Sequence, residues 1–172
     1  MRMTVLAAAL ALAATQAAAM SLQSNDFADG APIPVVHNYP RCGGQNVSPE
    51  LHWSGVPETA KSLVLTMIDQ DVKPARWSHW IVVGLPVATA GLARGVAALP
   101  AGAHTVVSNF GDAAYAGPCP PEGSGTHRYK FTIWALPATT VTIAPDAKAN
   151  EVEAMLMGLA LDHESLVGTV RR

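Results

Sequence analysis

Cysteine is scarce in this sequence: Cys42 and Cys119 are the only two among 172 residues, and they do not form a C-x-x-C. That excludes the usual spacing of a thiolate metal cage or a dithiol redox motif. Charge is scarce too, with Asp, Glu, Lys and Arg at 14% and a formal net charge of −2. No basic run is present that could follow a nucleic-acid backbone or hold the chain to an anionic membrane, so nucleic acid is not an expected partner. There is no G-x-S-x-G and no H-E-x-x-H, so the nucleophile elbow of a serine hydrolase and the zinc-binding helix of a metalloprotease are both missing. Internal repeats, low-complexity tracts and any sign of a second domain are also absent, and no cofactor or metal is expected.

What is present begins with a leader. Arg2 supplies a positive start, Val5 to Ala14 an apolar run too short for a confident membrane span, and Ala17-Ala18-Ala19 a small-residue cleavage site. Residues 1–19 therefore read as a secretory signal peptide and residues 20–172 as a single domain, periplasmic or secreted, with no membrane span in the mature chain. Removing Arg2 with the leader moves the formal charge from −2 to −3. In an exported chain the two cysteines read as one disulfide, Cys42–Cys119, stabilising by roughly 4 kcal/mol on the loop-entropy model. It ties Arg41-Cys42-Gly43-Gly44 to the loop that carries Cys119.

That loop, Gly117-Pro-Cys-Pro-Pro-Glu-Gly-Ser-Gly-Thr-His127, has three prolines and three glycines in eleven residues. Proline lacks an N–H and fixes φ, and glycine tolerates φ > 0, so neither helix nor central strand can form and a stiff loop results. The strand expected next, through Lys130 to Leu136, puts His127 and Tyr129 on one side where the loop ends, with Arg128 on the other. A second stretch repeats the logic: the acidic turn Asp69-Gln-Asp71-Val-Lys-Pro74, then Trp77, then His79 opening the apolar run Trp80–Leu85.

Further strands are expected within Ser24–Pro40, around Leu51 and Trp53, over Ser62–Ile68, over Ala103–Val107, over Thr139–Ile143 and over Leu166–Val170. Trp53 is expected in the core and His52 on the opposite face. Val87–Gly102 reads as a connection with a helical turn. Asn150 is an N-cap candidate for a helix through Leu161, with Val152, Met155, Leu156, Leu159 and Ala160 as its packing stripe and Met155 and Met157 in core packing. Seven or eight short strands and one helix near the C-terminus predict a mainly β protein, with sheets packed face to face.

Three stretches resemble the phosphatidylethanolamine-binding protein family, in its bacterial, Raf-kinase-inhibitor-like branch. Gly117-Pro-Cys-Pro through His127-Arg128-Tyr129 matches the family's G-P-[CP]-P-x-G-x-x-H-R-Y. The Asp69 turn with Trp77-Ser-His79-Trp80 matches D-P-D-x-P and W-x-H-W. Asn46-Val-Ser48-Pro49-Glu-Leu-His-Trp53 with Pro57 matches N-x-S-P-x-L-x-W-x-x-x-P. The resemblance spans about Ser24 to Arg172 and implies an antiparallel β-sandwich of two sheets in Greek-key style with a helix near the C-terminus.

The resemblance further implies that the acidic turn and the proline loop enclose a small anion site. Its residues are Asp69, Trp77, His79, the backbone around Cys119 and Pro120, His127 and Tyr129. Two imidazoles and a phenol suit phosphate or carboxylate oxygens, and an anion between the imidazoles is expected to raise their pKa. Stiff prolines imply a preformed pocket. The expected function is binding of a small anionic or phosphorylated ligand, without catalysis, by a monomer or homodimer. A secreted protein-interaction role, with a protease or kinase-like partner at the pocket rim, is the alternative, and hydrolysis ranks below both. Two departures from the family pattern are Gln70, in place of a proline and expected to loosen the turn carrying Asp69, and Leu159, near the place of a helix histidine, with His163 one turn later. Both predict a changed pocket lid near the helix.

Overall fold

The computed structural model describes residues 19–172. The predicted leader therefore lies outside the described residues except for Ala19. Among the described residues there are eight strands and one α-helix: β1 Ser21–Gln23, β2 Leu51–Ser54, β3 Ser62–Asp69, β4 Trp77–Leu85, β5 Gly91–Leu92, β6 His104–Thr105, β7 Thr126–Leu136, α1 Ala149–Leu159 and β8 Asp162–Arg171. They form a three-stranded sheet in the order β1-β2-β5 and a five-stranded sheet in the order β6-β4-β3-β7-β8. Every pairing within the sheets is antiparallel.

All eight residues of β3 are buried, because the larger sheet is covered on both faces. Leu63, Leu65 and Met67 point with Trp80, Val82, Phe131 and Ile133 towards Leu22, Leu51, Trp53 and Leu92 of the smaller sheet. Val64, Ile81, Val83, Trp134 and Leu136 form the other face, beneath Val152 and Leu156 of α1. A side-chain period of two thus sends alternate residues of one apolar run into two separate cores. The Trp134 indole N–H donates to Thr66 Oγ1 at 3.0 Å, which satisfies the polar groups of the helix-side core.

Several local expectations are corrected. The opening strand precedes Ser24, and Ser24–Pro40 is loop with a 3-10 turn at Val35–His37 and another beginning at Pro40. Val87–Gly102 contains β5 and no helical turn. Thr139–Ile143 is not a strand: Ile143 is buried under the helix, but no strand lies beside it to pair with. The helix N-cap is Lys148, whose backbone N–H donates to Glu151 Oε2 at 3.1 Å, so a carboxylate at the third helical position does what an asparagine cap was expected to do. The helix ends at Leu159, which is exposed, as is Met157. The buried stripe is therefore narrower than its apolar positions suggest. His52, on the outer face of β2, lies against Glu50 and Gln23, while Trp53 is in the core.

Candidate functional site

Register places the acidic turn. Asp69, the last residue of β3, is directly opposite Trp77 of β4 and Tyr129 of β7. The three side chains form a row across three strands at one end of the large sheet, on the face towards the smaller sheet. His79 joins them through a β-bulge. Met67 pairs with Trp80 and Ile68 with Ser78, so β4 carries one extra residue at His79. Strict alternation with Trp80 would send His79 under the helix; the bulge turns it to the cavity instead. Its ring meets Tyr129 edge-on at 5.1 Å and Phe110 at 4.8 Å.

The proline loop is fastened opposite this row. Ala116 N–H donates to the His79 carbonyl at 3.1 Å, and His79 Nδ1 donates to the Ala116 carbonyl at 2.8 Å. Asn46, at φ 57°, accepts from Gly117 N–H at 2.7 Å and donates to the Tyr115 carbonyl at 3.0 Å. An asparagine suits the left-handed conformation, and here it also satisfies both sides of a buried loop. Tyr39 N–H donates to the Pro118 carbonyl at 3.0 Å, and the disulfide Cys42–Cys119 closes the junction with Cα atoms 5.4 Å apart. Gly117 is required because a Cβ there would fall on the His37 carbonyl oxygen.

Between the row and the loop lies a cavity of about 370 Å³, lined by Arg41, Asp69, Val72, Trp77, His79, Asn109, Phe110, Cys119, Pro120, Pro121 and Tyr129. Asp69 is 1% exposed and accepts two hydrogen bonds, from Asp71 N–H at 2.9 Å and from His127 Nδ1 at 2.7 Å. The Tyr129 hydroxyl is buried beside the Asp69 carboxylate and the Cys119 backbone but makes no hydrogen bond of full geometry to either. Burial, reinforced by the Asp69 carboxylate, raises the Tyr129 pKa, so the phenol remains a donor. Burial pushes the His79 pKa down to about 4, which leaves a neutral ring at pH 7. Because Nδ1 is donated to Ala116, Nε2 carries the lone pair; the Gly117 backbone also lies close to the ring. Arg41 takes part in none of the ion pairs among the described residues.

Of the residues singled out from sequence, Asp69, Trp77, His79, Cys119, Pro120 and Tyr129 all line this cavity. His127 does not. It is buried behind Asp69 and orients that carboxylate, so the two imidazoles do not face one anion. The Gln70 backbone N–H donates to the Arg128 carbonyl, and Arg128 also grips Asp71 from the opposite face of β7. The Arg128 guanidinium holds the Asp71 carboxyl below the ordinary carboxylate range. The helix contributes nothing to the cavity lining, and His163 stacks on Trp134 at 5.0 Å instead. Arg41, Val72, Asn109, Phe110 and Pro121 were not singled out. For Arg41 the signal was its place beside Cys42; Asn109 and Phe110 carry no comparable mark in the sequence.

Residues 23–171 match the sequence pattern of the family described as phosphatidylethanolamine-binding protein. The chain belongs to that family. Among its relatives, a UPF0098 protein of Aquifex aeolicus is 35% identical over 157 residues, covering 90% of each chain. Escherichia coli YbhB, also a UPF0098 protein, is 40% identical over 140 residues, covering 77% of this chain and 88% of YbhB. The crystal structure of Escherichia coli YbcL, presented as a new member of the mammalian PEBP family, superposes with a TM-score of 0.82 at 31% identity, covering 90% of this chain and 99% of YbcL. In this family member the matching motifs converge: the W-x-H-W segment forms the bulged strand, the H-R-Y segment supplies Tyr129 and the orienting His127, and Asn46 of the N-x-S-P segment fastens the loop. Among the described residues, no helix is long and apolar enough to cross a membrane.

Proposed function

We propose that this protein is an exported binding protein that holds a small anionic or phosphorylated ligand in the cavity between Asp69, His79, Tyr129 and the Cys119–Pro121 loop. The observation that carries this reading is the meeting, in one preformed cavity, of the Tyr129 hydroxyl, which makes no hydrogen bond of full geometry, and the Arg41 guanidinium, which joins no ion pair among the described residues. A buried donor without a partner costs about 1–3 kcal/mol, and a ligand oxygen relieves that cost. The guanidinium supplies the charge. Trp77, 40% exposed at the mouth, offers an apolar face to whatever the anionic group is attached to.

Binding without catalysis suits the wall. It carries no serine or threonine hydroxyl, and its one cysteine is held in the disulfide, so it offers none of the ordinary alcohol or thiol nucleophiles. A disulfide spanning 77 residues of sequence suits an oxidising, extracytoplasmic compartment.

The test is an NMR titration with inorganic phosphate, phosphoethanolamine and acetate, following the His79 and His127 ring signals. The reading predicts saturable shifts, larger for His79 than for His127, that disappear in Arg41→Ala with Tyr129→Phe. Unmoved rings at ten-millimolar ligand (~10 mM, on the scale of the weakest useful affinity) would overturn it.

A further inference from the structure

Apart from Asp69 and Asn109, which are engaged in hydrogen bonds within the fold, the cavity wall presents one cation, one donor and one acceptor, and the acceptor is the informative group. Arg41 supplies the cation and the Tyr129 hydroxyl the donor. His79 cannot act as a second donor in its neutral form. Its Nδ1–H is committed to the Ala116 carbonyl at 2.8 Å, and the peptide link is returned by Ala116 N–H to the His79 carbonyl, so the ring is held in a single tautomer. Nε2 therefore offers a lone pair, flanked by the rings of Phe110 and Tyr129. A fully deprotonated phosphate or carboxylate oxygen placed against that lone pair is repelled; an oxygen that carries a proton is held.

On the proposed anion-binding function, we infer that the cavity selects phosphomonoesters, in their protonated, monoanionic form, over phosphodiesters, with the P–OH donating to His79 Nε2. The three remaining valences of such a group match the wall: the anionic oxygen faces Arg41, a second oxygen accepts from Tyr129, and the hydroxyl donates to His79. A phosphodiester has no proton to give at neutral pH and leaves Nε2 facing an oxygen. A phosphomonoester dianion carries no proton and gains one on binding, so one proton is taken up per ligand when the pH is above its second pKa of about 6; the hydrogen phosphate dianion already carries one P–OH and meets Nε2 without uptake.

The charged and titratable groups around His79 do not offer another route. From β3 comes Asp69, whose two oxygens already accept from Asp71 and His127. From β7 come Tyr129 and, behind Asp69, His127. From the segment before Cys42 comes Arg41, and from the loop before the proline stretch only Asn109 and Phe110, neither of which titrates. Asp69 also sets a negative charge in the same wall, which disfavours a second charge on the ligand. Burial keeps the ring from taking the proton in advance, since its pKa lies at about 4.

The experiment is calorimetric titration of the protein at pH 6, 7 and 8 with three probes: phosphoethanolamine, inorganic phosphate and the diester glycerophosphoethanolamine. Each is run in two buffers of different ionisation enthalpy, so that proton uptake is read directly. The inference predicts that at pH 6 phosphoethanolamine binds at least about tenfold tighter than the diester, and that its Kd rises nearly tenfold from pH 7 to pH 8 as the monoanion fraction falls. Uptake at pH 8 is close to one proton. In His79→Gln, verified as folded by circular dichroism, the pH slope and the uptake are lost; in Tyr129→Phe binding weakens while the slope remains. Inorganic phosphate matching phosphoethanolamine assigns the recognition to the phosphoryl group alone, and weaker phosphate binding assigns part of it to the attached headgroup; both are consistent with monoanion selection. Saturable binding of phosphoethanolamine at pH 8 without proton uptake, or equal affinity for the diester, overturns this inference and leaves the anion site standing. No saturable binding of any probe at any of these pH values overturns both.

Discussion

Removing the Cys42–Cys119 bond should both destabilise the protein and weaken its ligand binding. The bond links residues 77 apart in sequence. Loop-closure entropy for a loop of that length amounts to about 4.5 kcal/mol at 25 °C. For a domain of this size each kcal/mol corresponds to roughly 2–4 °C, so a Cys42→Ser, Cys119→Ser double variant should melt about 9–18 °C below the oxidised parent. The bond also joins the Arg41 turn to the Pro118–Pro121 wall, alongside the single Tyr39 to Pro118 backbone hydrogen bond. Losing it frees one side of the cavity, and an ordering cost of roughly 1.4 kcal/mol weakens phosphate binding about tenfold. Calorimetric melting of both proteins gives the first quantity, and titration with phosphoethanolamine well below either melting temperature gives the second. A melting shift under about 3 °C would refute the loop-entropy argument. Unchanged affinity would show that the disulfide braces the fold without shaping the site.

Three further outcomes are expected. Asn46→Ala removes the bonds to Gly117 N–H and the Tyr115 carbonyl and leaves an alanine at φ 57°; urea unfolding should show a loss of about 2–4 kcal/mol, and a loss below about 1 kcal/mol would contradict the loop-fastening role. Gly117→Ala puts a Cβ onto the His37 carbonyl and should push the Tyr39 segment off the wall, costing about 3 kcal/mol or more and weakening phosphate binding in the same samples. Stability should also fall in mild acid. His79 has a folded pKa of about 4, below the unfolded value near 6.5, so the unfolded chain binds more protons between those limits. Its contribution is intact above about pH 6.5 and declines by up to about 1.4 kcal/mol per pH unit down to about pH 4, where the folded ring protonates as well. His37, also depressed by burial, adds in the same direction. Urea midpoints at pH 7 and pH 5 measure this, and a His79→Gln variant should show a shallower slope.

The sequence made the site's location legible further than its geometry. Alternation at His127 and Tyr129 put both on one face of β7, and that is where they are. The direction of His79 could not be read by alternation from Trp80, because a bulge adds a residue without any residue-type signature: Ser78, His79 and Trp80 look like continuous strand. The expected pair of imidazoles around an anion failed for a related reason. His127 and Asp69 are 58 residues apart in sequence, and only the folded chain shows the His127 ring hydrogen-bonded to that carboxylate and absent from the cavity lining. Arg41 entered the wall through a covalent tie, which the cysteine count made readable. Asn109 and Phe110 entered through a turn-rich segment with no periodicity to interpret. At the level of fold, the apolar runs of β3, β4 and β7 were clear because they are buried on both faces. Thr139–Ile143 has the same β-branched character, yet it serves as a cover under α1 and pairs with no strand. Local propensity cannot distinguish these two uses of an apolar segment.

The central claim is that the cavity holds an anion through groups left unengaged by the fold. Its most direct test removes a single oxygen: calorimetric titration of the protein and of Tyr129→Phe with phosphoethanolamine at pH 6. The account predicts saturable binding that weakens about tenfold in the variant, since a buried phenol donor is worth roughly 1–2 kcal/mol to the oxygen it meets, while the unliganded variant melts no lower than the parent, because that hydroxyl makes no full hydrogen bond in the fold and its burial is itself a cost. Equal affinity in the two proteins would contradict the account, because the ligand would then be bound without the donor on which the proposed geometry depends.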